Sequence, residues 1–282
     1  MKLSLFIILA FVISSHGVFS QNTTETIHIK KVWNTPNELE VPESVLYSHT
    51  QNTIFVSNIS GKSGEKDGIG FISKLNMDGQ ITDKQWIVEL NAPKGMAEFN
   101  NMLYVSDIDE LVQIDLKRGK IINKYPAPNS KFLNDVATDS TGTIYVSDSG
   151  DQTIYVLKEN NLVKWKSDDM LSKVNGLCVV GNNLYAGTAN AILKINTKTK
   201  ETEIWANNTG GIDGIEFDGK NGFFYSDWQG HVYHINKGEK QETLLDTTSE
   251  KINAADIGIN RNEKMIYVPT FFDNRVFAYK YK

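Results

Sequence analysis

A single cysteine, Cys178, stands in a chain of 282 residues, so no intramolecular disulfide can form and stability must come from packing. Cys178 lies in the apolar run Gly176-Leu-Cys-Val-Val and reads as a buried free thiol, with no histidine near it in sequence to suggest a catalytic pair. Proline is scarce at six residues, and the 21 glycines follow no triplet period, which excludes collagen-like chains. Basic runs are absent, and 29 basic against 34 acidic residues leave a formal charge of −5, so the electrostatic basis for nucleic-acid binding is missing. Only one apolar run is long, residues 3–13, and it is too short for a comfortable membrane span. With Lys2 before it and Val18-Phe19-Ser20 after it, it reads as an export leader, residues 1–20, cut before Gln21. Losing Lys2 with the leader takes the charge from −5 to −6. The remainder, 21–282, is expected to be one exported domain, periplasmic or secreted, monomeric and without a membrane span.

What is present is a globular composition, 40% hydrophobic and 22% charged, arranged in a repeat. A short apolar strand, a turn and a strand ending in aromatic-x-Ser-Asp recur as NDVATDSTGTIYVSDS from Asn134 and DGIEFDGKNGFFYSDW from Asp213. Relatives of the phrase start at Gly95 and Asn175, with weaker copies at Glu43 and Ala255, and a second strand pair follows each. The phase points Glu43, Lys94, Asn134, Asn175, Asp213 and Ala255 are spaced by 51, 40, 41, 38 and 42 residues. A period near ~40 with four strands per unit predicts an all-β, six-bladed β-propeller. The long first interval is explained by the glycine-rich insertion at 61–70, read as a flexible loop. The last unit stops one strand short, and the alternating segment 26–33 is expected to complete it and close the ring.

In a propeller the first strand of each blade lines the central tunnel, so the residues opening those strands converge on one mouth. Four of the six openings carry a side-chain oxygen: Glu43, Asn134, Asn175 and Asp213. Two carboxylates and two amides suit calcium, which takes six to eight oxygen ligands, and suit zinc poorly. Lys94 interrupts the acidic set, as a salt partner or a holder of an anionic substrate group. Asp107, Asp148 and Asp227 recur at the ends of the aromatic-x-Ser-Asp strands, which marks them as turn residues. Trp228 and Phe271-Phe272 fall in turn regions and are expected to wall an apolar pocket or to pack between blades, with the 61–70 loop as a lid.

These openings, Glu43 first, then Asn134-Asp135, Asn175-Gly-Leu and Asp213-Gly, resemble the senescence marker protein/gluconolactonase/luciferin-regenerating enzyme family of six-bladed propellers. The resemblance spans about residues 27–282 and rests on motifs of two or three residues each. It implies hydrolysis of lactones or related esters at a divalent ion, most simply Ca2+, held by Glu43, Asn175 and Asp213. Asn134 joins them as a substrate contact or a fourth ligand, and Asp213 orients or deprotonates the attacking water. Substrate-binding roles are expected for Asn134, Lys94 and Trp228. The chain departs from that family in two places: Glu43-Ser44-Val45-Leu46 replaces the usual Glu-Gly-Pro-aromatic opening, and Phe132 stands where sugar-lactonases often carry Arg. A polar sugar lactone therefore fits less well than an apolar ligand. None of His28, His49, His231 or His234 opens an inner strand, so Asp213 would act without a channel histidine. The alternative is a non-catalytic propeller of the NHL-repeat kind, holding a protein or small ligand on the same face.

Overall fold

The computed structural model describes residues 26–282, so the leader assigned to 1–20 lies outside the described residues. Six four-stranded antiparallel sheets follow one another around a ring among those residues. In the first, Pro42–Ser48 is innermost, followed outward by Thr53–Asn58, Gly70–Leu75 and Ile81–Leu90. The innermost strands of blades two to six are Pro93–Phe99, Leu133–Thr138, Leu177–Val180, Ile215–Phe217 and Gly258–Asn260. The 61–70 insertion connects the second and third strands of blade one. Blade six takes its outermost strand from Ile29–Asn34, paired antiparallel with Val276–Tyr281. The Trp33 indole donates across to the Met77 carbonyl of blade one at 3.0 Å, and its ring stacks on Tyr267 at 5.7 Å.

Alternation explains these sheets less than burial does. Second strands such as Thr53–Asn58 and Ile144–Asp148 are buried on both faces, and they read as continuous apolar runs. Outer strands such as Lys120–Pro126 are mostly exposed and mix polar with apolar residues. Six hydrophobic clusters each join one blade to the next. Phe55 and Ile72 of blade one meet Met96 and Val112 of blade two, and Ile54 and Leu75 meet Met265 and Tyr267 of blade six. Each fully buried aliphatic side chain is worth about 1.5–3 kcal/mol against exposure, so the ring is held by its interblade seams. First and last blades also meet directly: Ser44 and Asp256 form a parallel bridge, and the Asp256 N–H donates to the Glu43 carbonyl at 2.9 Å. No helix among the described residues is long and apolar enough to cross a membrane.

Candidate functional site

The inner strands leave their regular ladders where the oxygen-bearing residues sit. Pairing slips between Pro42 and Ser44, between Pro93 and Met96, and between Leu133 and Val136. In blade five it begins only at Ile215, two residues beyond Asp213. Such irregularities free a residue from the ladder and re-aim its side chain. Serine hydroxyls from the second strands replace the missing ladder bonds. Ser57 accepts the Ser44 N–H at 3.0 Å, Ser147 that of Asp135 at 2.8 Å, and Ser226 that of Gly214 at 3.0 Å. Ser106 and Ser226 in turn donate to the carbonyls of Asn134 and Ala255 in the next blade. The aspartates that follow these serines satisfy turns: Asp107 accepts from the Asn91 and Ala92 N–H groups, Asp148 from Lys131 and Phe132, and Asp227 from Gln229 and His231. The recurring Ser-Asp pair is thus the scaffold of the tunnel mouth.

On that scaffold Glu43, Lys94, Asn134 and Asp213 line one cavity of about 290 Å³. Its walls are Ile59, Phe132, Trp228, Phe271 and Phe272, and Ser63 of the 61–70 loop reaches its edge. Asn175 stands behind Asp213, donating from Nδ2 to Asp213 Oδ1 at 2.5 Å. Asn134 donates from Nδ2 to Ser149 Oγ at 3.1 Å, and Ser149 donates to the Val174 carbonyl at 2.7 Å, which fixes the amide's orientation. Lys94 is wholly buried; Nζ donates to the carbonyls of Ala92 at 2.9 Å and Ser63 at 3.1 Å and lies 4.4 Å from the Phe132 ring centre. Another hollow of about 300 Å³, lined by Asn183, Lys194 and Glu203 among others, lies on the outer strands of blade four and gathers no comparable chemistry.

The electrostatics of the cavity floor are under tension. Glu43 is 5% exposed, and its Oε2 has no hydrogen-bond partner. Burial, reinforced by the Asp213 charge and opposed by Lys94, pushes its carboxyl well above the usual range. Burial also pushes Asp213 up to about 7, against the Asn175 hydrogen bond that favours its charged form. A second tier lies one residue deeper, where the blades in order carry Ser44, Gly95, Asp135, Gly176, Gly214 and Asp256. Asp135 accepts from the Val136 N–H and, across the blade boundary, from the Leu177 N–H, both at 2.6 Å; burial drives it up to about 8. Asp256 accepts from Ser44 Oγ at 2.5 Å and is also raised, by burial and then by the Asp135 charge. The glycines make room for these carboxyls: a Cβ on Gly95 would lie 2.2 Å from Asp135 Oδ1, and one on Gly214 2.4 Å from Asp256 Oδ1.

Two bulky residues beside the cavity are held at positive φ, Val41 at 53° and Phe271 at 50°, a conformation that is unfavourable for both. They pack on the same small cluster, Ile59, Ala92 and Ile108, and the Val41 N–H is held by Asn274 Oδ1 at 2.8 Å. Strain of about 1–3 kcal/mol at each such residue persists only where surrounding contacts enforce it, and it gathers at functional sites. Here it sets the chain entering Glu43 and the ring that walls the cavity.

The sequence-predicted residues Glu43, Lys94, Asn134, Asp213 and Trp228 therefore share one cavity, with Asn175 bonded to Asp213. Ile59 and Ser63 escape a reading based on strand openings because they lie in the connections after the second strand of blade one. The second-tier carboxyls are equally hard to read, because Asp135 looks like a local turn residue until its bond to blade four is seen. Among the described residues no group of three or more His, Cys, Asp or Glu side chains is assembled for a metal, and no histidine lines the cavity. His231 pairs with Asp227 at 2.8 Å and His234 with Asp218 at 3.0 Å, both within blade five.

The fold is a six-bladed propeller with this cavity at one mouth of its tunnel. The chain is similar to a catalytically inactive His-to-Ala variant of virginiamycin B lyase from Staphylococcus aureus with quinupristin, at 14% identity and TM-score 0.63, over 90% of this chain and 99% of that one. It is equally similar to a protein assigned as a gluconolactonase, at 14% identity and TM-score 0.66, over 92% and 93% of the two chains. A nidogen/laminin complex supplies a third likeness, at 18% identity and TM-score 0.64, over 75% and 86%. No family profile and no curated protein matches the sequence. At such identities the likeness establishes the propeller and nothing finer.

Proposed function

We propose that the protein is an exported hydrolase of lactones or related esters, working at the tunnel mouth with a calcium-type ion. The observation that carries the reading is the buried, unpartnered Glu43 Oε2 on the same cavity floor as Asp213. A buried carboxylate oxygen without a partner is costly unless a cation or proton completes it. The donor set fits a hard cation: Glu43, Asn134, Asn175 and Asp213 would hold it, all through oxygen. When bound, such an ion would supply Lewis-acid polarisation of an ester carbonyl. The side chains do the rest. Asn175 fixes Asp213 Oδ1 and leaves Oδ2 to take a proton from water as the water oxygen adds to the carbonyl carbon. That proton then passes to the departing alkoxide. Asn134, whose Nδ2 is occupied by Ser149, presents Oδ1 to the site.

The gluconolactonase neighbour favours this chemistry over that of the lyase neighbour, which is inactivated by losing one histidine; among the described residues no histidine lines the cavity. A lactone and aryl-ester panel, assayed with calcium and with chelator, tests the proposal. Activity should need the ion and vanish in a Glu43→Ala, Asp213→Ala double variant, and retained turnover in that variant would sink the scheme. The competing reading is a non-catalytic binding propeller. It draws on the exposure of Trp228 and Phe272, 45% and 65%, and on the likeness to a nidogen/laminin complex. A protein that binds calcium but turns over nothing in the panel would favour it.

A further inference from the structure

We propose that the cavity selects a neutral lactone or ester with a flat aromatic body, and that Trp228, Phe271 and Phe272 are the residues that select it. The inference rests on the hydrolase reading for the carbonyl chemistry and adds the class of substrate. Its basis is the geometry of the walls. Trp228 and Phe271 have ring centres 5.5 Å apart, Trp228 and Phe272 5.9 Å, and the two phenylalanines 4.8 Å. Their planes meet at 77°, 84° and 85°, so three aromatic faces form a corner of mutually upright walls. A flat ring entering that corner can lie face to face with one wall and present its edge to the others, the two arrangements aromatic groups prefer.

Phe271 packs on Ile59, Ala92 and Ile108, but Trp228 and Phe272 join no packed cluster that would explain their exposure. Phe272 is 65% exposed and belongs to none of the interblade clusters, and Phe271 is held beside it at positive φ. The turn that carries them is fastened with care. Arg275 makes a two-pronged ion pair with Asp273 at 2.7 and 2.8 Å, and Asn37 donates to the Asp273 carbonyl at 3.1 Å. The Asn253 amide holds the Trp228 carbonyl at 2.8 Å on the facing turn. Ile59 and Phe132 add to the apolar lining, and the polar lining is Glu43, Lys94, Asn134 and Asp213 with Ser63 at the edge. A polyol lactone would leave hydroxyls against these walls without partners, whereas an aromatic lactone places its one polar group, the ester, on the floor. Ligand charge follows from the same floor. A dication held by Glu43 and Asp213 would cancel their charges and leave the floor no net attraction for an anion, and Lys94, which would attract one, already spends two of its donors on Ala92 and Ser63.

The test uses two six-membered lactones, dihydrocoumarin and δ-gluconolactone, together with the hydrolysis-resistant lactam analogue of dihydrocoumarin. Binding of the lactam is measured by titration calorimetry with calcium present, so the readout does not depend on turnover. The parent should bind the lactam, and should hydrolyse dihydrocoumarin about tenfold or more faster than δ-gluconolactone, relative to blank. Trp228→Ala and Phe272→Ser should each weaken lactam binding about fivefold to tenfold, the worth of one aromatic contact. Both side chains are exposed, so unchanged melting temperatures would confirm that folding is intact. Lactam binding without hydrolysis of either lactone supports aromatic selection and overturns the hydrolase reading alone. Equal or faster hydrolysis of δ-gluconolactone, or lactam affinity unmoved by both substitutions, overturns aromatic selection and leaves the hydrolase reading standing.

Discussion

Replacing Asp213 by Asn removes one charge and keeps the acceptor that Asn175 Nδ2 uses, so the perturbation is electrostatic rather than steric. Burial lifts this carboxyl to about 7 against the Asn175 hydrogen bond, with the Asp227 charge adding to the lift; an ordinary aspartate lies near ~4. Because the folded value exceeds the unfolded one, the native state keeps a proton that the unfolded chain releases. This group therefore costs stability as pH rises from about 4 through about 7, and costs nothing below the unfolded value. The full span is worth about 4 kcal/mol, and relaxation with water entry reduces it to about 2 kcal/mol. In chelator at about pH 8 the Asn variant should be more stable than the parent by that amount, which raises Tm by about 4–8 °C in a domain of this size. The assay is a set of thermal melts in chelator across the acid-to-alkaline range, repeated with excess calcium. The two chains should converge at the acid end and diverge above about pH 7. Calcium should then raise the parent's Tm and leave the variant nearly unmoved. An Asn variant that melts below the parent at about pH 8 in chelator would mean that the Asp213 charge is compensated in the native state. The account of the floor as a charge cluster awaiting a cation would then be wrong.

Gly95→Ala should destabilise by about 2–3 kcal/mol in chemical denaturation, because the new Cβ would meet Asp135 Oδ1 at 2.2 Å and Asp135 Cα at 2.5 Å; a loss under about 1 kcal/mol would show that the second tier yields easily. Lys94→Met removes the donor to the Ser63 carbonyl and should free the 61–70 loop, read as faster tryptic cleavage at Lys62 and Lys66, and an unchanged cleavage rate would refute the tether. The Cys178 thiol, pushed up to about 12 by burial and then by the Glu216 charge, should ignore a thiol reagent in the native protein at about pH 8 and react fully in denaturant. Rapid native labelling would place it outside the blade-four to blade-five seam.

The blade period was readable because it is written six times. A lost phrase in one unit, such as Gly187-Thr188 where blades two, three and five carry Ser-Asp, does not erase the spacing of the rest. The insertion at 61–70 was equally visible as the one interval that broke the rhythm. The N-terminal segment was legible in kind, although its strand runs Ile29–Asn34 instead of 26–33. The cavity floor was partly legible for the same reason. Phasing the repeat puts Glu43, Lys94, Asn134 and Asp213 at equivalent strand openings, and equivalence in a ring means convergence. The walls and the second tier have no such phase. Asp135 and Asp256 occur in two blades of six, and the glycines facing them are ordinary strand-start glycines until their missing Cβ atoms prove to be the space the carboxyls fill. Phe271 and Phe272 lie in a turn unique to blade six, so nothing repeated could announce them. Repetition encodes what recurs, which is packing in all six blades and the Ser-Asp stitching of the mouth in blades two, three and five. Whatever distinguishes this propeller from others must therefore lie in positions where the blades differ. By that logic the proposed selection falls to the aromatic corner, found on only one side of the ring, while the lone Lys94 tethers the 61–70 loop beside it.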